Sequence, residues 1–304
     1  CASNQSTLTG FTLNREKNQL LALSSTTHTN SIIHTAERLG LTLIKHDKLK
    51  QLTHDLLVFE ANEKTINADL QQLRLHFPDI DFDFNHHYQS ASSPRHYAKD
   101  QINWPKATSC FETKTITKLN IGIIDGLPDL SQLELAHQAI TVQSFLNDNE
   151  QADKQHATAI AGILVGQGSK QQSRGLLPHS QLVAAVVLRR DKQRSIATAQ
   201  SIVRALDWLI GQHVRLINFS LAGNRHNTII TKSIEQAVNN NVLLFAAAGN
   251  DGMTKQVAYP AALPNVFAIT AIDAAQRLYR HVNQGRHFIC QPLCTGYRCA
   301  ICTS

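Results

Sequence analysis

The sequence predicts an α/β chain made of a small α+β domain and a larger domain in which a parallel β-sheet lies between layers of helices. Three observations lead to this fold class. First, 304 residues with 42% hydrophobic content are enough to give each of about two domains a buried core. Second, short strand-like and helix-like patterns alternate through residues 18–88. Third, near-continuous apolar strands alternate with helical patterns from residue 118 onward, as in parallel sheets covered on both faces.

The first domain is predicted to contain six elements in the order βαββαβ. Its strands are predicted at residues 19–23, 41–44, 55–60 and 80–84, and its helices at residues 30–38 and 66–75. This order is that of the ferredoxin-like split βαβ unit, which hosts many unrelated functions. We expect a polar tether at residues 1–17 and a linker at residues 89–117, where Ser and Pro are frequent and periodicity is absent.

The second domain is predicted to extend over residues 118–286. Its strands are predicted at residues 118–125, 181–188, 214–219, 241–247 and 266–271, and its helices at residues 156–165, 196–210 and 231–239. In sheets of this kind, ligands bind beyond the carboxyl ends of the strands. Polar residues that follow a strand are therefore the first candidates for a functional site.

Two polar residues follow a strand, and a third opens a helix. Asp125 ends the first apolar strand, and His156 opens a helical stretch whose small residues allow close packing. Asn250 follows the strand at 241–247, beside Gly249, where its amide can donate a hydrogen bond to a developing oxyanion. Singly, the aspartate is equally consistent with a turn, and the histidine with a structural role. Together the three residues indicate a catalytic edge of the sheet.

Five motifs resemble those of one known family, the subtilisin-like serine proteases or subtilases, and they occur in the family's order. The aspartate motif is matched by Ile123-Ile124-Asp125-Gly126, the histidine motif by residues 156–162 and the oxyanion motif by residues 246–250. Residues 214–223 resemble the strand that lines the substrate cleft, and residues 259–266 resemble the loop after the oxyanion asparagine. The similarity covers residues 118–280 and implies a subtilisin-like three-layer domain that is incomplete at its C-terminus.

The resemblance also implies roles for individual residues. Asp125 would orient the imidazole of His156, His156 would act as general base, and Asn250 would stabilise the oxyanion. The residues implied to bind an extended polypeptide, as substrate or inhibitor segment, are Ser220, Leu221, Ala222, Ala248 and Gly249. The βαββαβ unit resembles the family's inhibitory propeptide. The implied activity is serine-type hydrolysis of peptide bonds.

The sequence departs from the family at three places. Gly126 stands where Ser or Thr is common, and Ala157 replaces the usual Gly. More seriously, the family's nucleophile lies in a Gly-Thr-Ser motif that occurs nowhere in this sequence, and Ser304 is the sole serine after Ser233. We therefore expect these 304 residues to be inactive as a peptidase. The alternative function is that of a noncatalytic pseudoprotease, a peptide-binding protein or a propeptide-type inhibitor.

The composition changes near Arg286, and residues 287–304 are aperiodic and rich in cysteine. A shifted reading frame and a purposeful tail both remain open explanations. Four tail cysteines are candidate zinc ligands, namely Cys290, Cys294, Cys299 and Cys302. Only the last two have the two-residue spacing that is usual in structural zinc sites, which argues against zinc. We expect no cofactor, and we interpret the acidic cluster Asp148, Glu150 and Asp153 as a solvated loop rather than a calcium site.

The N-terminus resembles the mature end of a bacterial lipoprotein, because Cys1 is followed by a polar stretch. This predicts a cell-envelope or secreted location, with a membrane tether through lipid on Cys1; the alternative is a chain boundary that falls at a cysteine by chance. A net charge of +6 without a Lys/Arg block argues against nucleic-acid binding. The strand before Asp125 lacks the glycine-rich turn of dinucleotide-binding oxidoreductases, which argues against that class.

Overall fold

The computed structural model describes residues 15–90, 119–167, 175–192, 194–252, 256–271, 283, 285, 287–291 and 298–302. Several residues on which predictions rest lie outside these ranges: Cys1, Cys294, Ser304 and most of the expected tether and linker. Within the described part of the chain, no helix is both long and apolar enough to cross a membrane.

The N-terminal unit has the element order βαββαβ. Its elements are β1 (Arg15–Ser24), α1 (Thr29–Arg38), β2 (Thr42–Leu49), β3 (His54–Glu60), α2 (Ile66–His76) and β4 (Asp81–Ser90). The four strands form an antiparallel sheet in the order β2-β3-β1-β4. Alternate residues of β1 serve two cores: Leu20 and Ala22 pack with helices α1 and α2, whereas Leu21 and Leu23 face the second unit. Burial on both faces explains why residues 20–23 of β1 are apolar without alternation.

The second unit contains a six-stranded parallel sheet in the order β13-β12-β10-β5-β7-β6. Its elements are β5 (Asn120–Asp125), β6 (Ile140–Ser144), α3 (Gln155–Val165), β7 (Gln181–Val186), β8 (Arg189–Asp191), β9 (Arg194–Thr198), α4 (Ala199–Gly211), β10 (Leu216–Phe219), β11 (Leu221–Ala222), α5 (Thr228–Asn239), β12 (Leu243–Ala247), β13 (Val266–Ile269), β14 (His287–Gln291) and β15 (Arg298–Cys302). This is the predicted α/β class with a parallel sheet, and the prediction of fold class is confirmed.

Helix layers cover both faces of the parallel sheet. Ile121 and Ile123 of β5 pack with Ala161 and Val165 of α3 on one face, while Ile124 faces α4 and α5 on the other. Helix α4 lies between the parallel sheet and the N-terminal sheet, so residues on most of its circumference are buried. The polar side chains of Gln200, Arg204 and Asp207 form a stripe along α4 and bond to residues of the N-terminal unit.

Several observed elements differ from the predicted ones in their bounds. Strand β1 already begins at Arg15, within the predicted tether, and β4 continues to Ser90, within the predicted linker. The extension of β4 is stabilised by pairing partners that the local sequence does not contain, because they belong to the second unit. Helix α4 begins at Ala199 rather than 196, since residues 194–198 form a strand and Thr198 caps the helix in a capping box with Ser201. The aperiodic tail contains a hairpin, β14–β15, in which Cys290 lies opposite Cys299.

Strand β4 joins the sheets of the two units. It pairs antiparallel with β9, which places Tyr88 opposite Ala197, and antiparallel with β11, which places Gln89 opposite Ala222. One continuous sheet therefore runs in the order β2-β3-β1-β4-β9-β8, with β11 attached to the end of β4. As a result, the last residues of the N-terminal unit occupy a strand position between two strands of the second unit.

Candidate active site

Asp125 and His156 form a hydrogen-bonded pair at the carboxyl edge of the parallel sheet. Asp125 is the last residue of β5 and is fully buried, and its Oδ2 lies 2.8 Å from His156 Nδ1. Its Oδ1 accepts a hydrogen bond from the Gly126 amide at 2.6 Å, so both carboxylate oxygens have partners. Because a carboxylate only accepts, the proton of this hydrogen bond lies on Nδ1. This is the tautomer that a general base requires.

The start of α3 brings His156 to this position. The helix begins at Gln155, and Ala157 and Ala161 are fully buried on its sheet-facing side. Thr158 Oγ1 donates to the Lys154 carbonyl at 2.7 Å and accepts from the Asp129 amide at 2.9 Å, which fixes the first turn. The extra methyl of Ala157 is accommodated without exposure, so this departure from the family pattern is compatible with the packing.

The second departure, Gly126, has a steric reason. A Cβ at this position would overlap the carbonyl oxygen of Asp153. The same carbonyl accepts a hydrogen bond from the Leu127 amide at 2.7 Å, so it cannot easily move away. A Ser or Thr at position 126 would therefore require a different path for the segment that leads into α3.

The loop that carries Asn250 lies at the same edge of the sheet, because β12 is separated from β5 only by β10. The Ala248 amide donates to Ile269 at 2.8 Å, and Gly249 has φ of +100°, a conformation that favours glycine. Asn250 itself is exposed. The structure thus places the three predicted residues at one edge and shows direct contact between Asp125 and His156.

Sequence reasoning missed Asn283, which is fully buried beneath this loop. Its amide donates to the Gly249 carbonyl at 3.2 Å, its Oδ1 accepts from the Asp251 amide at 2.9 Å, and its Nδ2 donates to the Gln256 carbonyl at 2.9 Å. These bonds hold the loop on both sides of Asn250. No periodic pattern surrounds residue 283, so only the folded structure reveals this contact.

The predicted substrate-binding residues lie on and beside β11. The Ser220 amide donates to Ile124 at 3.4 Å, next to Asp125, and Leu221 and Ala222 pair with Ser90 and Gln89 of β4. Ala248 is buried and accepts at its carbonyl from the Ala258 amide at 2.9 Å. The backbone edge that the sequence assigns to an extended polypeptide is therefore in contact with such a segment of this chain.

Tyr88 anchors this segment. Its side chain is 1% exposed and its ring lies against Gly223, where a Cβ would come within 2.6 Å of Tyr88 Cδ1. Burial raises the pKa of the Tyr88 hydroxyl above its ordinary value. The hydroxyl oxygen is buried and has no hydrogen-bond partner among the residues that the structure describes. The pocket is thus shaped for an aromatic ring at this position of the strand.

Two side chains of the N-terminal unit accept hydrogen bonds from the N-termini of helices α4 and α5 in the second unit. Asp83 Oδ2 accepts from the Thr228 amide of α5 at 2.9 Å, and Asn85 Oδ1 accepts from the Gln200 amide of α4 at 3.1 Å. The first amides of a helix have no partner within the helix, and the helix dipole favours an anion there. The N-terminal unit therefore completes the hydrogen bonding of both helices.

A second set of contacts is ionic. Arg189 of β8 pairs with Glu16 of β1 and with Glu150, and His87 Nε2 lies 3.0 Å from Glu16 Oε1. The hydrogen bond from His87, followed by the charge of Arg189, holds the pKa of the Glu16 carboxyl below its ordinary value, although burial opposes this shift. The bond network crosses between the two units, so it depends on their docking.

In the loop that carries Asp148, Glu150 and Asp153, two of the three carboxylates bond to protein groups. Glu150 pairs with Arg189, Asp153 accepts from Ser195 and from the Gln155 amide, and Asp148 is exposed. Across the residues that the structure describes, no group of three or more His, Cys, Asp or Glu side chains is arranged to hold a metal ion.

The parallel sheet carries an Asp–His pair at its carboxyl edge, beside a loop in which Gly249 precedes Asn250. This arrangement is typical of hydrolases that act through an activated nucleophile. A profile of the subtilase family matches residues 122–293, more than half of the chain. The chain therefore belongs to the subtilase family, which consists of serine-type endopeptidases. The family prediction made from the motifs is confirmed.

Individual relatives agree with this assignment. The chain is 31% identical over 163 residues to the minor extracellular protease Epr of Bacillus subtilis (strain 168), an alignment that covers 53% of this chain and 24% of that protein. It is 28% identical over 186 residues to subtilisin of Bacillus pumilus, covering 60% of this chain and 66% of that protein. The chain thus spans less than two thirds of the length of these relatives.

Solved structures support the fold. The epidermin leader peptide processing serine protease of Staphylococcus aureus matches with a TM-score of 0.60 and 15% identity, over 88% of this chain and 72% of that one. The prenylagaramide maturation protease PagA matches with a TM-score of 0.51 and 23% identity, over 60% of this chain and 63% of that one. At these identities the likeness concerns the fold alone.

Proposed function

We propose that the chain carries the acid–base part of a subtilisin-like serine endopeptidase site. The observation that carries this proposal is the 2.8 Å hydrogen bond between the buried Asp125 carboxylate and His156 Nδ1. In this site Asp125 holds the imidazole in the tautomer that accepts a proton at Nε2, and His156 is the general base. Asn250 donates its side-chain amide to the oxyanion of the tetrahedral intermediate.

The proposed substrate is an extended polypeptide. Ser220, Leu221 and Ala222 bind its backbone by strand-like hydrogen bonds, and Ala248 and Gly249 line the far side of the site. Support comes from β11, whose Leu221 and Ala222 already pair antiparallel with a strand. Backbone pairing is independent of side chains, so recognition of particular sequences depends on pockets such as the one that holds Tyr88.

We also propose that residues 18–88 act as a propeptide-type inhibitor whose last strand fills the substrate groove. Strand β4 lies between β9 and β11 and pairs with both, as a bound peptide does in β-strand addition. The likeness to the epidermin leader peptide processing protease covers 88% of this chain, which is more than the part after residue 118 contains. The likeness therefore includes a share of the N-terminal unit.

The polypeptide of 304 residues is proposed to have no peptidase turnover, because it contains no Gly-Thr-Ser tripeptide. Without a nucleophile, the oxyanion donor and the binding groove leave only weak residual catalysis. The second candidate function is noncatalytic peptide binding, as a pseudoprotease or an inhibitor. It is favoured by the strand-shaped groove, in which β9 and β11 both pair with an extended segment.

A secreted or cell-envelope location is proposed, because one of the relatives is named an extracellular protease. Fractionation of the native host tests this: recovery of the protein from the medium or the envelope supports it, and recovery from the cytosol contradicts it.

The activity proposal is tested with the purified polypeptide of 304 residues, a serine-directed fluorophosphonate probe and unfolded casein. We expect neither labelling nor cleavage above the level of the His156→Ala variant. Binding of an extended peptide with the sequence of β4 is measured in parallel by fluorescence anisotropy, at concentrations high enough to compete with the β4 strand that already lies between β9 and β11. Peptide binding without turnover supports the noncatalytic candidate, whereas labelling and cleavage that His156→Ala removes would overturn the proposed lack of turnover.

A further inference from the structure

We propose that Asp153 is a positioning residue that sets the geometry of the Asp125–His156 pair. This inference rests on the proposed function of that pair. Asp153 lies two residues before the first residue of α3 and three before His156. It touches neither substrate nor the reacting atoms, and its effect is exerted through the segments that carry them.

The side chain of Asp153 holds the start of the histidine helix. Its Oδ1 accepts from the amide of Gln155, the first residue of α3, at 3.0 Å. The N-cap residue Lys154 makes no side-chain capping bond, and the first turn of α3 contains no acidic residue. The Asp153 carboxylate therefore supplies the acceptor and the negative charge that a helix N-terminus favours. His156 is the next residue, so the direction of its side chain depends on this anchor.

The backbone of Asp153 holds the segments that flank Asp125. Its carbonyl accepts from the Leu127 amide at 2.7 Å, and its amide donates to the Leu188 carbonyl at 3.0 Å. The Leu188 amide in turn donates to the Asp125 carbonyl at 3.2 Å. One residue is thus bonded to the turn that follows Asp125, to the segment that follows β7 and to the helix of His156.

The second carboxylate oxygen is fixed by β9. Asp153 Oδ2 accepts a hydrogen bond from Ser195 Oγ, so the carboxylate cannot rotate freely away from Gln155. Gly126 completes the arrangement, because the Asp153 carbonyl occupies the space that a side chain at position 126 would need. Gly126 and Asp153 are therefore a matched pair, and the departure of residue 126 from the family pattern follows from it.

The experiment uses the full chain and the low-field proton resonance of an imidazole Nδ1–H bonded to a carboxylate. His156→Ala identifies the resonance of His156. In Asp153→Ala we expect exchange of this proton with water to become about tenfold faster, as loss of one ordinary hydrogen bond predicts. Asp153→Asn keeps the Oδ1 acceptor and should restore the slow exchange. Ser195→Ala should give an intermediate rate, and Asp148→Ala, an exposed carboxylate of the same loop, should leave the rate unchanged.

The outcomes separate the two proposals. Absence of any His156 resonance in the unmodified chain would contradict the Asp125–His156 pair itself. A resonance that exchanges equally slowly in Asp153→Ala would overturn the role of Asp153 while leaving the pair intact. If a thermal melt shows that Asp153→Ala is not folded, the Ser195→Ala variant decides between the outcomes. An unchanged exchange rate in folded Ser195→Ala contradicts the proposal, and a faster rate supports it.

Discussion

The ring of Tyr88 lies against Gly223, and a Cβ at position 223 would approach Tyr88 Cδ1 to 2.6 Å. This contact joins the last strand of the N-terminal unit to the segment that follows β11. Tyr88 belongs to the same buried core as Leu221 and Phe219 of the second unit, so the strand is anchored by burial as well as by backbone pairing. A unit that only touched the surface would not bury an aromatic ring in this way.

The first prediction concerns this anchor. Gly223→Ala should displace the Tyr88 ring and weaken the pairing of β4, because no space exists for the added methyl. Overpacking of this kind costs about 1–3 kcal/mol of stability. Chemical denaturation measures the loss, and hydrogen exchange of the β4 amides should become faster.

Gly162→Ala serves as the matched control, since a Cβ there has no neighbour within 4 Å and the position is helical. It should be neutral or stabilising, because alanine favours the helix by roughly 1 kcal/mol over glycine. Equal behaviour of the two variants would show that the Tyr88 contact does not hold β4 in place.

The second prediction concerns the loop around Asn250. Asn283→Ala removes the acceptor of the Asp251 amide and the donor to the Gln256 carbonyl. Asp251 and Gln256 are exposed and can bond to water instead, so each lost hydrogen bond costs about 0.5–1.5 kcal/mol. Hydrogen exchange of the Asp251 amide should become up to about tenfold faster. Asn240→Ala, at an exposed position, is the control. Unchanged exchange of the Asp251 amide in Asn283→Ala would contradict the role of Asn283 in holding the loop.

The third prediction concerns pH. The pKa of the Glu16 carboxyl is lowered from 4.5, chiefly by the His87 hydrogen bond. The ionised carboxylate therefore stabilises the docked state above the unfolded value, and this contribution is lost as the pH falls below 4.5 through the lower folded pKa. Glu16→Gln should reduce stability at neutral pH and flatten the acid limb of a melting-temperature profile.

The pKa of the Asp207 carboxyl is shifted in the opposite direction to that of Glu16. Burial raises the pKa of its carboxyl above 3.8, although its Oδ1 accepts from the amides of Gln51 and Leu52 at 2.6 and 2.9 Å. Its ionisation therefore opposes folding as the pH rises through the folded pKa. Asp207→Asn keeps the acceptor without the charge, so stability at neutral pH should be retained or increased.

A steeper acid limb of the melting-temperature profile in Glu16→Gln than in the unmodified chain would refute the assignment of Glu16.

The sequence predicts those parts of the fold that local pattern determines. Apolar runs such as residues 119–124 reveal the buried strands, and Asp125 and His156 are recognisable because each stands directly at the end or start of an element. Strand β8 could not be predicted, since Arg189-Arg190-Asp191 is charged and becomes a strand by pairing with β9. Asn283 acts through hydrogen bonds to a loop distant in sequence, and no local pattern marks it. Asp153 stands out in the sequence only as part of an acidic cluster, because its bonds to Ser195, Leu188 and Leu127 depend on the fold.

The most direct test of the central claim is the low-field proton spectrum of the full chain, compared with Asp125→Asn and His156→Ala. We predict one resonance from His156 Nδ1–H in the unmodified chain, and its loss in both variants, because the carboxylate that holds this proton is 2.8 Å away. A resonance that persists unchanged in Asp125→Asn, or its absence from the unmodified chain, would contradict the assembly of an acid–base pair in this subtilase.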